Sequence, residues 1–312
     1  MAEREQFTAL EDWVNHHVLG QERLVRHLLV EGVPGLAKTR VIKVLAAGIE
    51  GEFHRIQFTP DLLPADLTGT EIYHPESGGF VFQKGPIFHN FVLADEINRA
   101  PAKVQSALLE AMAERQVTVG RTTYPLDALF LVMATQNPIE QEGTYPLPEA
   151  QRDRFLLHVK VGYPDPESEL KILDLVREQM RSGSAEIRPD RVHLSRQNIF
   201  AARRQALDLY MARELEQFLV ALVAASRKPS AYDETLAQLI AFGASPRGTI
   251  ALDLAARAHA WLAGRDHVSP EDVLAIVHDA LRHRILLSYD AEADGVTSDE
   301  VIDRLLELVP VP

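Results

Sequence analysis

A segment near the amino end of the chain combines glycine, lysine and threonine in an order suited to binding phosphate groups. It reads Gly32, Val33, Pro34, Gly35, Leu36, Ala37, Lys38 and Thr39. Glycines allow backbone N–H groups to turn toward phosphate oxygens, and the amino end of a following helix adds partial positive charge. Lys38 would balance the β and γ phosphates, and Thr39 would ligate Mg²⁺. The segment predicts binding of Mg²⁺ with ATP or ADP, although Ala37 stands where a second glycine is expected. The simpler interpretation is a surface turn with a solvated lysine.

Two adjacent carboxylates, Asp95 and Glu96, close an apolar run that begins at Phe91. Successive side chains of a strand point in opposite directions, so the two acids are expected to have different roles. Asp95 would hold Mg²⁺ through its water shell, and Glu96 would orient or deprotonate the attacking water. Two solvated acids at a strand end are the alternative. The order of the two motifs favours an ATPase site.

Elements that could position these motifs follow one another from about Leu28 to Val161, where short apolar runs alternate with helical patterns. This alternation is typical of a parallel sheet covered by helices. The runs are Leu28 to Val30, Phe53 to Phe58, Phe91 to Ala94, Leu129 to Ala134 and Leu156 to Val161. We predict an α/β domain over residues 1–165, with a five-stranded parallel sheet flanked by helices.

Strand patterns largely stop after Pro166, and the rest of the chain has helical periodicity. Ser269 with Asp272, and Thr297 with Glu300, have the spacing of capping boxes that begin helices. A stripe of apolar residues at helical spacing comprises Leu215, Phe218, Leu219, Leu222 and Val223. Residues 166–312 are therefore predicted to form a smaller all-α domain.

The composition restricts the class of protein. The chain is 46% hydrophobic and 25% charged, has no cysteine, and has no apolar run long enough to span a bilayer. With no secretory signal pattern at the amino end, we expect a cytoplasmic protein. The net charge of −13 disfavours an extended surface that binds nucleic acid.

Five phrases of the sequence together resemble the MoxR family of AAA+ ATPases. They are Glu31 to Thr39, Asp95 to Pro101, Ala134 to Pro138, Leu147 to Ala150 with Asp153 to Phe155, and Gly243 to Arg247. Ala37 belongs to that family's own version of the phosphate loop. The resemblance implies a P-loop AAA+ module with a smaller all-α lid, and covers most of the chain.

The resemblance also implies roles for individual residues. Gly20 and Gln21 would lie near the adenine, and Asn137 would position the attacking water. Arg154 would be a finger presented to a neighbouring subunit, and Arg247 would reach back to the phosphates from the lid. Arg152 stands where the family usually has an apolar residue, which leaves open which of the two arginines is the finger.

Partners follow from the same resemblance. The family implies a homo-oligomer, expected here as a hexameric ring, that remodels client proteins in the manner of a chaperone. Maturation of metal-containing enzymes is one such role, and a partner with a von Willebrand factor A domain is another expectation. Segments 60–87 and 116–125 resemble an insertion and a hairpin that could face a central pore. The segment Arg23 to His27 is shorter than the helix the family places there.

A second class of function is a nucleotide-gated binding module, in which ATP occupancy sets the shape and turnover is negligible. The set Glu96, Asn137, Arg154 and Arg247 favours a working ATPase, because a pure switch needs no complete hydrolytic set. A DNA-directed motor is disfavoured by the acidity of the chain and by the lack of a recognisable nucleic-acid-binding module.

Overall fold

The computed structural model describes residues 2–17, 29–32, 38–76, 78–136, 144–163, 165–182 and 193–312. The chain forms two compact units. The sheet unit comprises Ala9–Arg154 and Val159–Arg196, and the helical unit comprises Met1–Thr8, Phe155–His158 and Gln197–Pro312. In the part of the chain described, no helix combines the length and the apolar character needed to cross a membrane.

The secondary-structure elements are numbered in chain order. The helices are α1 Ala2–His17, α2 Lys38–Ala47, α3 Pro64–Thr68, α4 Ala102–Glu114, α5 Glu149–Arg152, α6 Pro166–Ser182, α7 Arg196–Leu207, α8 Arg213–Arg227, α9 Glu234–Leu239, α10 Pro246–Leu262, α11 Pro270–Leu281, α12 Tyr289–Ala293 and α13 Ser298–Leu308. The strands are β1 Leu29–Gly32, β2 Phe53–Gln57, β3 Gly69–His74, β4 Gly79–Lys84, β5 Phe91–Asp95, β6 Gln116–Val119, β7 Thr122–Pro125, β8 Leu131–Gln136, β9 Val159–Val161, β10 Tyr210–Met211, β11 Ile240–Phe242, β12 His267–Val268 and β13 Leu286–Leu287.

The central sheet has the strand order β2, β5, β8, β1, β9, and every pairing is parallel. All five residues of β5 are buried, which agrees with its continuous apolar sequence and its interior position. In an open parallel sheet, ligands bind at the carboxyl ends of the strands. Because β5, β8 and β1 are neighbours, Asp95, Gln136 and Gly32 end at the same edge.

Two antiparallel hairpins interrupt the α/β pattern, in the two segments that the family resemblance singled out. β3 pairs with β4 inside segment 60–87, and β6 pairs with β7 inside segment 116–125. Phe82 of β4 stacks on Tyr124 of β7, with ring centroids 4.0 Å apart. The two hairpins therefore pack against each other at this aromatic contact.

The sheet unit extends beyond the predicted boundary at residue 165, as far as Arg196. Leu194 is buried and forms a parallel bridge with Ile49. The Arg196 guanidinium donates to Asp127 Oδ2 at 2.8 Å and to Asn90 Oδ1 at 2.9 Å. These hydrogen bonds hold the end of segment 166–196 on the sheet unit, whereas the predicted division into 1–165 and 166–312 groups it with the helical residues.

The last strand of the sheet is also shorter than predicted. The apolar run from Leu156 predicts a strand to Val161, but β9 begins only at Val159. Phe155 to His158 belong to the helical unit, and Leu157 lies in its hydrophobic core. The run therefore contributes its first residues to one unit and its last residues to the other.

The helical unit is built around α8, α10, α11 and α13, and the predicted stripe from Leu215 to Val223 is buried in its core. Both predicted capping boxes are present, at Ser269 and at Thr297. The unit is not entirely helical, because β10 pairs with β12 and β11 pairs with β13. These strands have two or three residues each, too few to show the alternation that identifies a strand in a sequence.

Asp272 in the helical unit generates a stability prediction. Its fully buried carboxylate contacts His259 Nδ1 at 2.6 Å and accepts from the Ser269 N–H at 2.9 Å and from Arg265. Burial acts to raise the pKa of Asp272, but these hydrogen bonds outweigh it and hold the pKa below its usual value. The stabilisation is thus present above the unfolded-state pKa, near 4, and is lost as the pH falls through the lower folded-state pKa.

We expect Asp272→Asn to lower the free energy of unfolding by about 3 kcal/mol at pH 7, because it removes one partner of a buried ion pair. Urea unfolding measures the change. Asp266→Asn is the matched control, since that side chain is exposed. The difference between parent and Asp272→Asn should shrink in acid, and equal midpoints for the two variants at pH 7 would contradict the assignment.

Candidate active site

The predicted phosphate loop has the expected structural context. β1 ends at Gly32, and α2 begins at Lys38 and continues through Thr39. The amino end of α2 therefore follows a strand of the central sheet directly after the loop, where a helix contributes partial positive charge. Val33 to Ala37 lie outside the described residues, as do Gly20, Gln21, Asn137 and the short segment Arg23 to His27.

Asp95 is the last residue of β5, and its buried carboxylate is held from two sides. Thr135 Oγ1, on the neighbouring strand β8, donates to Asp95 Oδ1 at 2.5 Å. Arg55 on β2 donates to Asp95 Oδ2 from Nε at 2.9 Å and from Nη2 at 2.5 Å. A carboxylate with these donors is fixed in orientation, because charge-assisted hydrogen bonds are strong and directional.

Glu96 is separated from Asp95 by a change of backbone conformation. β5 ends at Asp95, and Glu96 adopts φ 55° and ψ 51°, in the left-handed region. This conformation is uncommon for a residue other than glycine, and such residues cluster at functional sites. Because Glu96 lies outside β5, the strand alternation that the sequence predicts does not separate the two acids. Asp95 bonds to Arg55 and Glu96 bonds to Gln57, and these two partners share one face of β2 and hydrogen-bond to each other.

The Glu96 side chain has its own partners. Gln57 Nε2 and Arg99 Nη1 donate to Glu96 Oε2 at 2.8 Å and 2.9 Å. The Glu96 backbone N–H donates to Thr135 Oγ1 at 2.9 Å. Thr135 therefore connects both acids, since its hydroxyl donates to Asp95 and accepts from Glu96.

The turn after Glu96 is fixed by a buried side chain. Gln105 on α4 lies with Nε2 within 3.2 Å of the carbonyls of Ile97 and Ala100 and 2.9 Å from that of Tyr145. The Tyr145 N–H donates in turn to the Asn98 carbonyl at 2.6 Å. These bonds hold the unusual backbone at Glu96 from its carboxyl side.

The sequence predicts three arginines for the site, Arg152, Arg154 and Arg247. They differ in how exposed their side chains are and in which of the two units they belong to. Arg152 ends α5 and is partly buried, whereas Arg154 is exposed and its N–H donates to the Gln151 carbonyl at 3.1 Å. Gln151 also donates to Ser106 Oγ at 3.0 Å, which ties α5 to α4. Arg247 is exposed near the start of α10 in the helical unit, where Ser245 caps the helix.

A divalent cation suits the carboxylates at this edge, because Mg²⁺ prefers oxygen ligands and keeps several waters. Asp95 supplies an oriented anionic group at the same end of the sheet as the start of α2. Within the described ranges, no group of three or more His, Asp or Glu side chains forms a dedicated metal cage.

Sequence reasoning missed the polar residues around the two acids, namely Thr135, Arg55, Gln57, Arg99 and Gln105. Thr135 does give one signal, because it is a hydroxyl residue that closes the apolar run of β8. Arg55 and Gln57 are two residues apart on β2 and so share one face of the strand, but their contact with the acids depends on strand register. Register between strands about forty residues apart is not visible in a local pattern.

Comparisons with known proteins agree with this architecture. Residues 27–157 match the family described as ATPase family associated with various cellular activities (AAA), and residues 234–305 match the AAA lid domain. Chaperone MoxR1 of Mycobacterium tuberculosis is 46% identical over 310 residues, which cover 96% of this chain and 80% of that protein. Protein MoxR of Paracoccus denitrificans is 34% identical over 331 residues, which cover 98% and 96% of the two chains. A crystal structure of a candidate ATPase from Cytophaga hutchinsonii has a TM-score of 0.90 and 45% identity, and the match covers 100% of this chain and 96% of that one.

Proposed function

Because the chain belongs to the MoxR family of AAA+ ATPases, we propose that it binds Mg·ATP and hydrolyses it to ADP and phosphate. The observation that carries the proposal is the arrangement of Asp95 and Glu96 around the Thr135 hydroxyl. These acids stand at the edge of the sheet where β1 leads toward α2. Asp95 would hold Mg²⁺ together with Thr39, and Lys38 would neutralise the phosphates. The magnesium ion would supply charge stabilisation on the transferring phosphoryl group.

Glu96 would orient the attacking water and accept its proton. Among the described residues, Gln57 and Arg99 donate to its carboxylate, and both reach Oε2. A carboxylate restrained at one oxygen is pre-oriented for its second oxygen to act as a base. Asn137 would help to position the same water, in the role that the family resemblance implies.

We propose further that the site is completed between subunits of a ring, which we expect to be a hexamer. The exposure of Arg154 supports its role as the trans finger over Arg152, whose side chain is partly buried with its Nε enclosed. A finger must be able to reach the phosphates of another chain. Arg247 would act from the lid of its own subunit.

The competing function is a nucleotide-gated binding module without turnover. The restrained geometry of Glu96 favours hydrolysis, since a module of that kind has no use for a pre-oriented base beside the Mg²⁺-binding acid. Steady-state phosphate release discriminates between the two, because the binding module would release no phosphate above the background of the assay.

A mixing experiment tests the trans finger. Arg154→Ala should keep ATP affinity and lose about 10³-fold or more in turnover, the scale of a finger supplied in trans. Rings assembled from Arg154→Ala and Glu96→Gln chains should recover activity above either variant alone, because some interfaces then pair an intact Glu96 with an intact neighbouring Arg154. The matched control is Arg152→Ala, which should retain most of the activity.

If Arg152→Ala is inactive instead, and Glu96→Gln chains restore its activity in mixed rings, the finger is Arg152. Absence of recovery for both arginine variants, in rings shown to contain both chains, would count against a trans site.

We propose that the hairpins contact a client protein that ATP turnover remodels. Tyr73 and Phe80, near the tip of the β3–β4 hairpin, are 52% and 70% exposed, and their rings lie 5.3 Å apart. On the opposite face, Ile72 pairs with Val81, and both are exposed. Apolar side chains on both faces of one exposed tip fit contact with an unfolded or extended segment of polypeptide. A von Willebrand factor A domain partner stays a proposal that rests on the family resemblance alone.

The client prediction uses the Glu96→Gln chain as a trap, since clients that leave on hydrolysis should then stay bound. Adding Tyr73→Ser and Phe80→Ser should remove the captured proteins and leave ATP affinity within about twofold. Phe242→Ser is the matched control, because this phenylalanine is also 70% exposed but lies in the helical unit. Equal capture by the hairpin variant and the control would contradict client binding at the hairpin.

A further inference from the structure

Three consecutive basic residues directly after α11 are buried. Arg282, His283 and Arg284 are only 8%, 3% and 5% exposed. Arginine is rarely buried unless it is paired, because loss of hydration is costly for a charge. Three such residues in a row therefore require polar partners that replace the lost hydration.

Most of those partners are backbone carbonyls of one short segment, Phe155 to His158. Arg284 donates from Nη1 to the Leu156 carbonyl at 3.1 Å and from Nη2 to the Phe155 carbonyl. His283 Nε2 lies 3.1 Å from the Phe155 carbonyl, and must carry the proton there because a carbonyl only accepts. Arg282 donates to the His158 carbonyl.

The basic residues that hold this segment have further partners of their own. Arg282 forms ion pairs with Asp279 and with Asp299, the latter at 2.8 Å. The Asp279 carbonyl accepts the His158 N–H at 2.7 Å, so His158 is held through both its backbone groups. The rings of His158 and His283 also pack edge to face, with centroids 5.6 Å apart. We name Arg282, His283 and Arg284 the basic clamp.

The clamped segment follows Arg154 directly in the chain. Consecutive Cα atoms are 3.8 Å apart, so fixing Phe155 leaves the Arg154 backbone little freedom on its carboxyl side. On the amino side, the Arg154 N–H is bonded to Gln151 at the end of α5. The backbone groups on both sides of the Arg154 Cα are thus hydrogen-bonded, while its side chain stays exposed.

We propose that the basic clamp positions Arg154 for its action on the neighbouring subunit. The inference rests on the proposed function, in which Arg154 is the trans finger. Phe155 and Leu157 already bury their side chains, so apolar packing alone would attach the segment. The clamp adds hydrogen bonds to the backbone carbonyls of Phe155 and Leu156, the two residues that follow Arg154 in the chain. Displacement of a reacting group by about 1 Å can cost on the order of 10² in rate.

The test compares Arg284→Met with Arg154→Ala in the full chain. Arg284→Met keeps the length of the side chain and removes its donors. We expect turnover at saturating ATP to fall roughly tenfold or more, with ATP affinity within about twofold of the parent. Rings formed with Glu96→Gln chains should recover activity, because the Glu96→Gln chain supplies a correctly held finger to the intact Glu96 of its neighbour. Arg284→Lys, which keeps the charge and a donor, should rescue part of the rate.

Arg304→Met is the matched control, since Arg304 is a partly exposed, ion-paired arginine of the same unit. It should turn over ATP at the parent rate. If Arg284→Met does not form folded rings, His283→Phe takes its place, because it retains the ring that packs on His158 and loses the hydrogen bond to Phe155.

Two results would overturn the inference. One is parental turnover of the clamp variant. The other is a failure of complementation: Glu96→Gln chains restore activity to Arg154→Ala rings but not to rings of the slow clamp variant. The defect of the clamp variant would then lie in the subunit's own site. Parental turnover of Arg154→Ala is a separate outcome, which refutes the proposed finger itself and the inference with it.

Discussion

Parallel pairing of β5, β8 and β1 is the constraint on which the candidate site depends. It brings the ends of three strands, separated by long stretches of sequence, to one edge of the sheet. Asp95, Thr135 and the strand that leads to the phosphate loop become neighbours only through this pairing. The Thr135 hydroxyl then uses the proximity, donating to Asp95 and accepting from the Glu96 backbone.

The left-handed backbone at Glu96 has a conformational cost that the surrounding structure must offset, on the order of 1 kcal/mol or more. The Thr135 hydroxyl holds it on the amino side, and the buried Gln105 amide holds the following turn. Gln105 also contacts the Tyr145 carbonyl, on the segment that leads to α5 and Arg154. The same side chain therefore contacts both the turn after Glu96, the proposed base, and the segment that leads to the proposed finger.

Much of the fold is visible in the sequence, because local periodicity records which face of an element is buried. The α8 stripe and both capping boxes are present as predicted, and the family assignment from the motifs is confirmed. The division of the run from Leu156 to Val161 between two units was not predictable, because alternating burial gives the same sequence pattern against a sheet and against a helical core. The partners of Asp95 and Glu96 were not predictable, since they depend on strand register and on the backbone turn at Glu96. The chemical roles of all the predicted site residues, Asp95, Glu96 and Arg154 included, stay predictions.

The most direct test of the account is the separation of binding from turnover at Glu96. ATP affinity by calorimetric titration and steady-state phosphate release should be measured for the parent, Glu96→Gln and Lys38→Ala chains. We expect Glu96→Gln to keep ATP affinity and to slow phosphate release by about 10²-fold or more, the scale of a lost general base. Lys38→Ala should lose most of the affinity, because the cation that balances the phosphates is gone. A Glu96→Gln chain that hydrolyses ATP at the parent rate would contradict the account.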